Sequence, residues 1–168
     1  MTFPPRPGTR VDDTLMAQFI PITVTKSATE ARSSTTTVAP DSELAVTLTP
    51  GTWDVTVKAN YNVTAAGPQG IRTSWSLGAG LALGGFRMCQ GPEAASTNRD
   101  STLSKWANTT APAMVQYGAG TNFAYFEEWA EVVATSSATL AFQWAQIISS
   151  ANACQVGQGS YIRAIRIA

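Results

Sequence analysis

Residues 122–168 hold three runs rich in aromatic and β-branched residues, separated by clusters of Ser, Thr, Ala, Asn and Gly. That pattern specifies consecutive antiparallel strands joined by turns, and everything upstream has to pack against them. In residues 123–133 the odd positions Phe123, Tyr125, Glu127, Trp129, Glu131 and Val133 share one face, and Ala124, Phe126, Glu128, Ala130, Val132 and Ala134 share the other. Both faces mix apolar and charged side chains, so neither is simply wet. Residues 139–148 set Leu140, Phe142, Trp144 and Gln146 against Ala141, Gln143, Ala145 and Ile147, large against small, which predicts a core on the large face. In residues 160–167, Tyr161, Arg163, Ile165 and Ile167 oppose Ile162, Ala164 and Arg166. An arginine in an otherwise apolar strand end needs a partner, which marks this as an interface strand.

Upstream, the alternation is clearest in residues 53–63. Trp53, Val55, Val57, Ala59, Tyr61 and Val63 form an apolar face, and Asp54, Thr56, Lys58, Asn60 and Asn62 a wet one. Before it, residues 43–49 place Leu44, Val46 and Leu48 inside; Pro40 with Asp41 predicts a turn, and Pro50 with Gly51 predicts a hairpin joining the two strands. Two short strands are expected at residues 20–26 and 33–38, with a charged turn at residues 30–32 between them. Residues 71–77 alternate again, with Ile71, Thr73, Trp75 and Leu77 on one side. The glycine-rich residues 78–91 and the polar residues 92–105 read as a long functional loop, followed by an irregular stretch from Trp106 and a short strand through Met114, Val115 and Tyr117. Eight or nine strands result. With no βαβ rhythm and almost no helix signal, two packed antiparallel sheets are expected, either a jelly roll or an immunoglobulin-like sandwich. The jelly roll is preferred because its outer strand comes last and the arm and the final strand can pair beside one another, which suits a chain with strand-like ends.

Residues 1–19 form a separate unit. Three prolines and a glycine in the first ten positions impose extended geometry, and Asp12 and Asp13 can cap a short helical stretch through Leu15, Met16, Gln18 and Phe19 that Pro21 ends. The unit reads as a docking arm, with a loose tail as the alternative; residues 20–168 form the sandwich domain.

Composition excludes several classes of function. Eleven acidic residues balance eleven basic ones, so no net field draws the chain to nucleic acid or an anionic membrane. Charged residues make up only 13% of the chain, about half the usual share, which suits a protein that hides surface in an assembly. No apolar run is long enough to span a bilayer, and no export signal opens the chain. Cys89 and Cys154 read as two buried, reduced thiols rather than a disulfide, and their spacing suits no metal.

The sequence contains no histidine, which removes the commonest general base and metal ligand. No catalytic constellation, metal site or cofactor motif is expected. Glu127, Glu128 and Glu131 are the only acidic cluster; Glu127 and Glu131 sit about 13 Å apart along one strand face, too far to flank one glycosidic bond. With Trp129 between them they could frame a sugar-binding strip, against the plainer alternative of a face salt-bridged to Arg163 and Arg166. Trp75, Trp106, Trp129 and Trp144 are expected as core or interface anchors. Asn62 and Asn108 open three-residue glycosylation patterns that are short enough to arise by chance.

RPGTRV near the start, the first hairpin from residues 34–57, and TLAFQWAQIISSANACQVGQGSYIRAIRI at the end resemble short virion proteins of tailed bacteriophages, particularly those of actinobacterial hosts. The likeness covers about 100 of the 168 positions. It implies a jelly-roll-like, tumour-necrosis-factor-like sandwich that assembles as a trimer. The group includes capsid decoration proteins, head fibres and minor tail proteins, and the absence of a fibrous shaft favours decoration. On this resemblance the chain is expected to be non-enzymatic, assembled in the host cytoplasm and carried on the capsid surface of the virion. The major capsid protein would be met by Phe3, Pro4, Pro5, Arg6, Pro7, Arg10, Leu15, Met16 and Phe19 of the arm. Sibling subunits would be met by Tyr125, Trp129, Tyr161, Arg163 and Arg166. The alternative is a tail or head-fibre protein that grips cell-surface glycans through Trp129, Glu127 and Glu131.

Overall fold

A computed structural model describes residues 20–63, 70–92, 102–108, 114–118 and 123–168. The arm residues 1–19, from Phe3 to Phe19, lie outside the described residues, as do residues 64–69 and 93–101. Twelve strands and no helix occur among the described residues. In chain order they are β1 (Ile22–Thr25), β2 (Glu30–Arg32), β3 (Ala39–Leu48), β4 (Gly51–Val63), β5 (Ile71–Leu77), β6 (Leu81–Pro92), β7 (Thr102–Asn108), β8 (Val115–Tyr117), β9 (Ala124–Ala134), β10 (Ala138–Gln146), β11 (Cys154–Val156) and β12 (Tyr161–Arg166).

The larger sheet runs β1-β12-β4-β9-β6-β7, with β11 joining β2 to β4, and the smaller sheet runs β3-β10-β5-β8. Without β2, β11 and the β6–β7 hairpin, the remaining strands, counted along the chain, read 1-8-3-6 in one sheet and 2-7-4-5 in the other. Successive strands therefore cross between the sheets at every step but 4 to 5, and strands 1 and 8, 2 and 7, 3 and 6, and 4 and 5 lie side by side, which is the connectivity of a jelly roll. The last strand lies beside β1, with Ile22 opposite Ala164 and Thr25 opposite Tyr161; the arm expected to pair with it lies outside the described residues.

Period-two patterning explains which faces meet. Trp53, Val55, Val57, Ala59, Tyr61 and Val63 of β4 are buried against Leu44, Val46 and Leu48 of β3 and Leu140, Phe142 and Trp144 of β10. Tyr61, Tyr117, Phe126 and Phe142 form an aromatic chain across the core, Tyr117 and Phe126 stacked at 4.6 Å between centroids. Cys89 and Cys154 are free and buried, and burial pushes their thiols up to about 11 and about 12.

Several sequence expectations are corrected. The charged turn is strand β2, held by pairing with β11, and residues 33–38 are the connection. Ser34 takes a left-handed φ of 56°, and the Thr37 N–H donates to Thr35 Oγ1, so local hydroxyl chemistry outcompetes a ladder there. Pro40 and Asp41 lie inside β3, where the register against β10 jumps from Ala141 opposite Ala45 to Gln143 opposite Pro40. The turn chemistry is real, but it makes an irregularity within the strand. β3 and β4 form no hairpin, because each has one apolar face and the two faces cover one another from opposite sheets. Gly51 makes that crossing possible: its φ is +147°, and a Cβ would sit 2.6 Å from the Ala168 carbonyl oxygen.

The expected long loop is largely the β6–β7 hairpin, with Trp106 within β7. Glycines hide the alternation of β6, and its pairing with β9 slips between Leu83 and Arg87. Gly84 sits at that slip, where a Cβ would run into the Glu131 carboxylate. These additions raise the strand number above the eight or nine expected.

Candidate functional site

The outward side chains of β1, β12, β4, β9 and β6 form rows across the larger sheet. One row runs Thr25, Tyr161, Lys58, Glu127, Gln90, and the next runs Thr23, Arg163, Thr56, Trp129, Met88. A third holds Ile165, Asp54 and Glu131, and Tyr125 stands opposite Asn60 beyond the first. Tyr125 is 71% exposed, Arg163 is exposed, and Trp129 and Tyr161 are half-buried. A shallow groove of about 420 Å³ follows the β1 flank, lined by Pro21, Thr23, Thr25, Tyr161 and Arg163.

Four of the five residues expected at a subunit interface thus share one face, and the fifth lies apart. Arg166 is at the opposite end of β4 from Tyr125, where Nη2 donates to the Pro50 carbonyl at 2.9 Å and Nε to the Ala168 carbonyl at 3.3 Å. The partner its position demanded is backbone. Glu127, Trp129 and Glu131 do line up on the outer face of β9, as the sugar-strip expectation requires. Glu127 pairs with Lys58 at 3.2 Å rather than with Arg163 or Arg166, and its carboxylate raises the Lys58 pKa.

Two buried ionic clusters, both missed by the sequence reading, join the sheets at opposite flanks. On the β1–β3 flank, Lys26 Nζ lies 2.8 Å from Asp41 Oδ1, 3.2 Å from Glu30 Oε2 and 3.6 Å from Glu43 Oε1. The Lys26 and Asp41 side chains are both 0% exposed. Trp144 Nε1 donates to Asp41 Oδ2 at 2.9 Å, and the backbone N–H groups of Glu43 and Leu44 donate to Oδ1. Arg32 pairs with Glu30 and lies over the Trp144 ring at 4.1 Å. Burial works against the charge on Lys26, but bonding to Asp41 and Glu30 outweighs it and the pKa is raised. Burial likewise opposes the charge on Glu30, but bonds from the Ser42 N–H and hydroxyl and from Arg32 hold it down at about 2.

On the β6–β8 flank, Glu128 of β9 is fully buried. Its Oε1 accepts from Thr73 Oγ1 and, at 2.9 Å, from Tyr117 OH; its Oε2 accepts from Trp75 Nε1 at 2.7 Å and lies 3.6 Å from Arg87 Nε. Burial, and then the neighbouring carboxylate, push Tyr117 well above the ordinary phenol range. The available signals were a carboxylate on the otherwise apolar even face of β9 and an arginine set in the apolar stretch Phe86–Cys89. Each needs a partner in a core.

Among the described residues no three acidic, cysteine or histidine side chains are placed to hold a metal ion, and no helix is long and apolar enough to cross a membrane. No protein-family model and no curated protein matches the chain. Solved structures similar to it include Eiger TNF from S. frugiperda, 15% identical over 90% of this chain and 94% of that one, with a TM-score of 0.42. A chain in the structure of infectious bursal disease virus, Gt strain, is 7% identical over 88% of this chain and 41% of that one, with a TM-score of 0.27. The jelly-roll-like sandwich rests on the strand order itself.

Proposed function

We propose that this chain is a structural, non-enzymatic virion protein: a capsid decoration protein of a tailed bacteriophage that binds the outer surface of the major capsid lattice as a trimer. The observation that supports it best is the outer face of the larger sheet, where Tyr125, Trp129, Tyr161 and Arg163 stand together on a rigid ladder with Met88 and Ile165. Aromatic side chains and arginine on a fixed backbone are the residue types that anchor interfaces. Residue 20 lies on the β1 flank of the same sheet, so residues 1–19 join the sandwich beside that face. Copies closed around this face present several arms at once. A protein that binds only the assembled shell opposes rupture by mass action, and linked arms raise the effective concentration of each later contact.

Light scattering and capsid binding test the two parts separately. Trp129→Glu is expected to convert a trimer to a monomer without loss of fold, and deletion of residues 1–19 to abolish saturation of empty capsids while leaving the trimer intact. A wild-type monomer at virion-like concentration, or unchanged capsid affinity after the deletion, overturns the corresponding part. A second reading draws on the alignment of Glu127, Trp129 and Glu131 along β9: a tail or head-fibre protein that stacks Trp129 on cell-surface glycans. Silence on a glycan array, with normal adsorption of particles lacking the protein, removes it.

A further inference from the structure

We propose that Lys26 and Asp41 condense without a cofactor into an intramolecular amide that covalently ties the segment after β1 to strand β3. Four observations place the reacting groups. Lys26 Nζ and Asp41 Oδ1 are 2.8 Å apart, and both side chains are fully buried. Trp144 Nε1 and the N–H groups of Glu43 and Leu44 donate to the Asp41 carboxylate, withdrawing charge and leaving Cγ more electrophilic. Glu30 Oε2, within 3.2 Å of Nζ, is placed to orient the lysine and is itself held by Ser42 and Arg32. The Glu30 and Glu43 side chains are 21% and 27% exposed, which gives departing water a route to solvent. Groups held in contact inside a dry site react at effective concentrations that no solution reaches, and charges lose the hydration that otherwise keeps them apart.

The step balances without an oxidant or a co-reactant. Lys26 enters as an ammonium and passes one proton to a neighbouring carboxylate; the freed amine attacks Asp41 Cγ, forming the N–C bond. One Asp41 oxygen then leaves as water, carrying two of the three ammonium protons, and the third stays on the amide nitrogen. The carboxylate that takes the first proton is Asp41 itself, across the 2.8 Å contact, so that an amine meets a carboxylic acid, while Glu30 orients Nζ and ends unchanged. A buried ion pair, costly to desolvate, is replaced by a neutral amide. The tie lies between the two sheets, because β1 belongs to the larger and β3 to the smaller.

Intact mass spectrometry of the denatured full chain tests this. The wild type is expected to be lighter by one water. Trypsin should give a branched peptide of residues 11–32, uncleaved after Lys26, joined to residues 33–58. Lys26→Arg and Asp41→Ala should each restore the full mass, and Glu30→Gln should slow the loss of water. Full mass in folded, aged wild-type protein overturns the proposal, and this measurement does not depend on whether any variant folds. Loss of water that persists in Lys26→Arg but vanishes in Asp41→Ala also overturns it, because that result marks cyclisation of Asp41 on its own backbone.

Discussion

The two flanks of the sandwich solve one problem in different ways. Each buries a carboxylate, caps it with an indole N–H, sets a cation beside it and so links the two sheets. Glu128 is surrounded by the neutral donors Thr73, Trp75 and Tyr117, and Arg87 stands farther off at 3.6 Å. Asp41 has Lys26 in direct contact at 2.8 Å, and the other carboxylates around that lysine, Glu30 and Glu43, reach solvent. The first flank is a sealed polar plug, and the second is a charged network with a wet edge. A buried carboxylate can thus be held largely by dipoles or largely by a cation, and the choice decides which perturbation each flank resists.

The largest expected effect comes from breaking the sealed flank. Glu128→Ala leaves Arg87 buried beside three donors that have lost their acceptor, and should cost about 3–5 kcal/mol in urea unfolding. Glu128→Gln, which keeps an acceptor, should cost less. Acid sharpens the contrast on the other flank. Glu30 has a folded pKa of about 2 against an ordinary 4.5, so its contribution is present in full above pH 4.5 and is lost as pH falls toward 2. That loss is expected to be on the order of 3 kcal/mol, and Glu30→Gln should flatten the fall in the urea midpoint between those two pH values. Next, Trp144→Phe and Trp75→Phe each remove one indole donor from a buried carboxylate, and each should cost about 2 kcal/mol by the same assay. The smallest effect is at the surface: Lys58→Ala breaks the exposed pair with Glu127 and should change stability by less than about 1 kcal/mol, less still at high salt.

The legible parts of this chain were those where side-chain volume follows the strand period. Trp53 to Val63, Ile71 to Leu77 and Leu140 to Trp144 announce their buried faces directly, and so the two packed sheets could be anticipated. Strand β6 could not, because glycines and a slipped register erase its alternation. Strand β2 was masked by its charges, which pair with one another and, through Glu30, with a buried lysine. Of the outer face, parity puts Tyr125 with Trp129 and Tyr161 with Arg163 on one side of their strands, while packing between the sheets decides that this side is the outer one. The ionic flanks depend on contacts between residues far apart in the chain, such as Asp41 with Trp144 and Thr73 with Glu128, and local pattern carries no trace of such contacts.

Antiparallel pairing of β1 with β12 has a practical corollary for anyone wishing to display cargo. Ile22 opposite Ala164 means that residue 20 and Ala168 leave the same end of the larger sheet. A peptide or fluorophore fused after Ala168 would therefore emerge beside residue 20. A payload to be kept clear of that end belongs instead at the other pole, in the turn around Gln158.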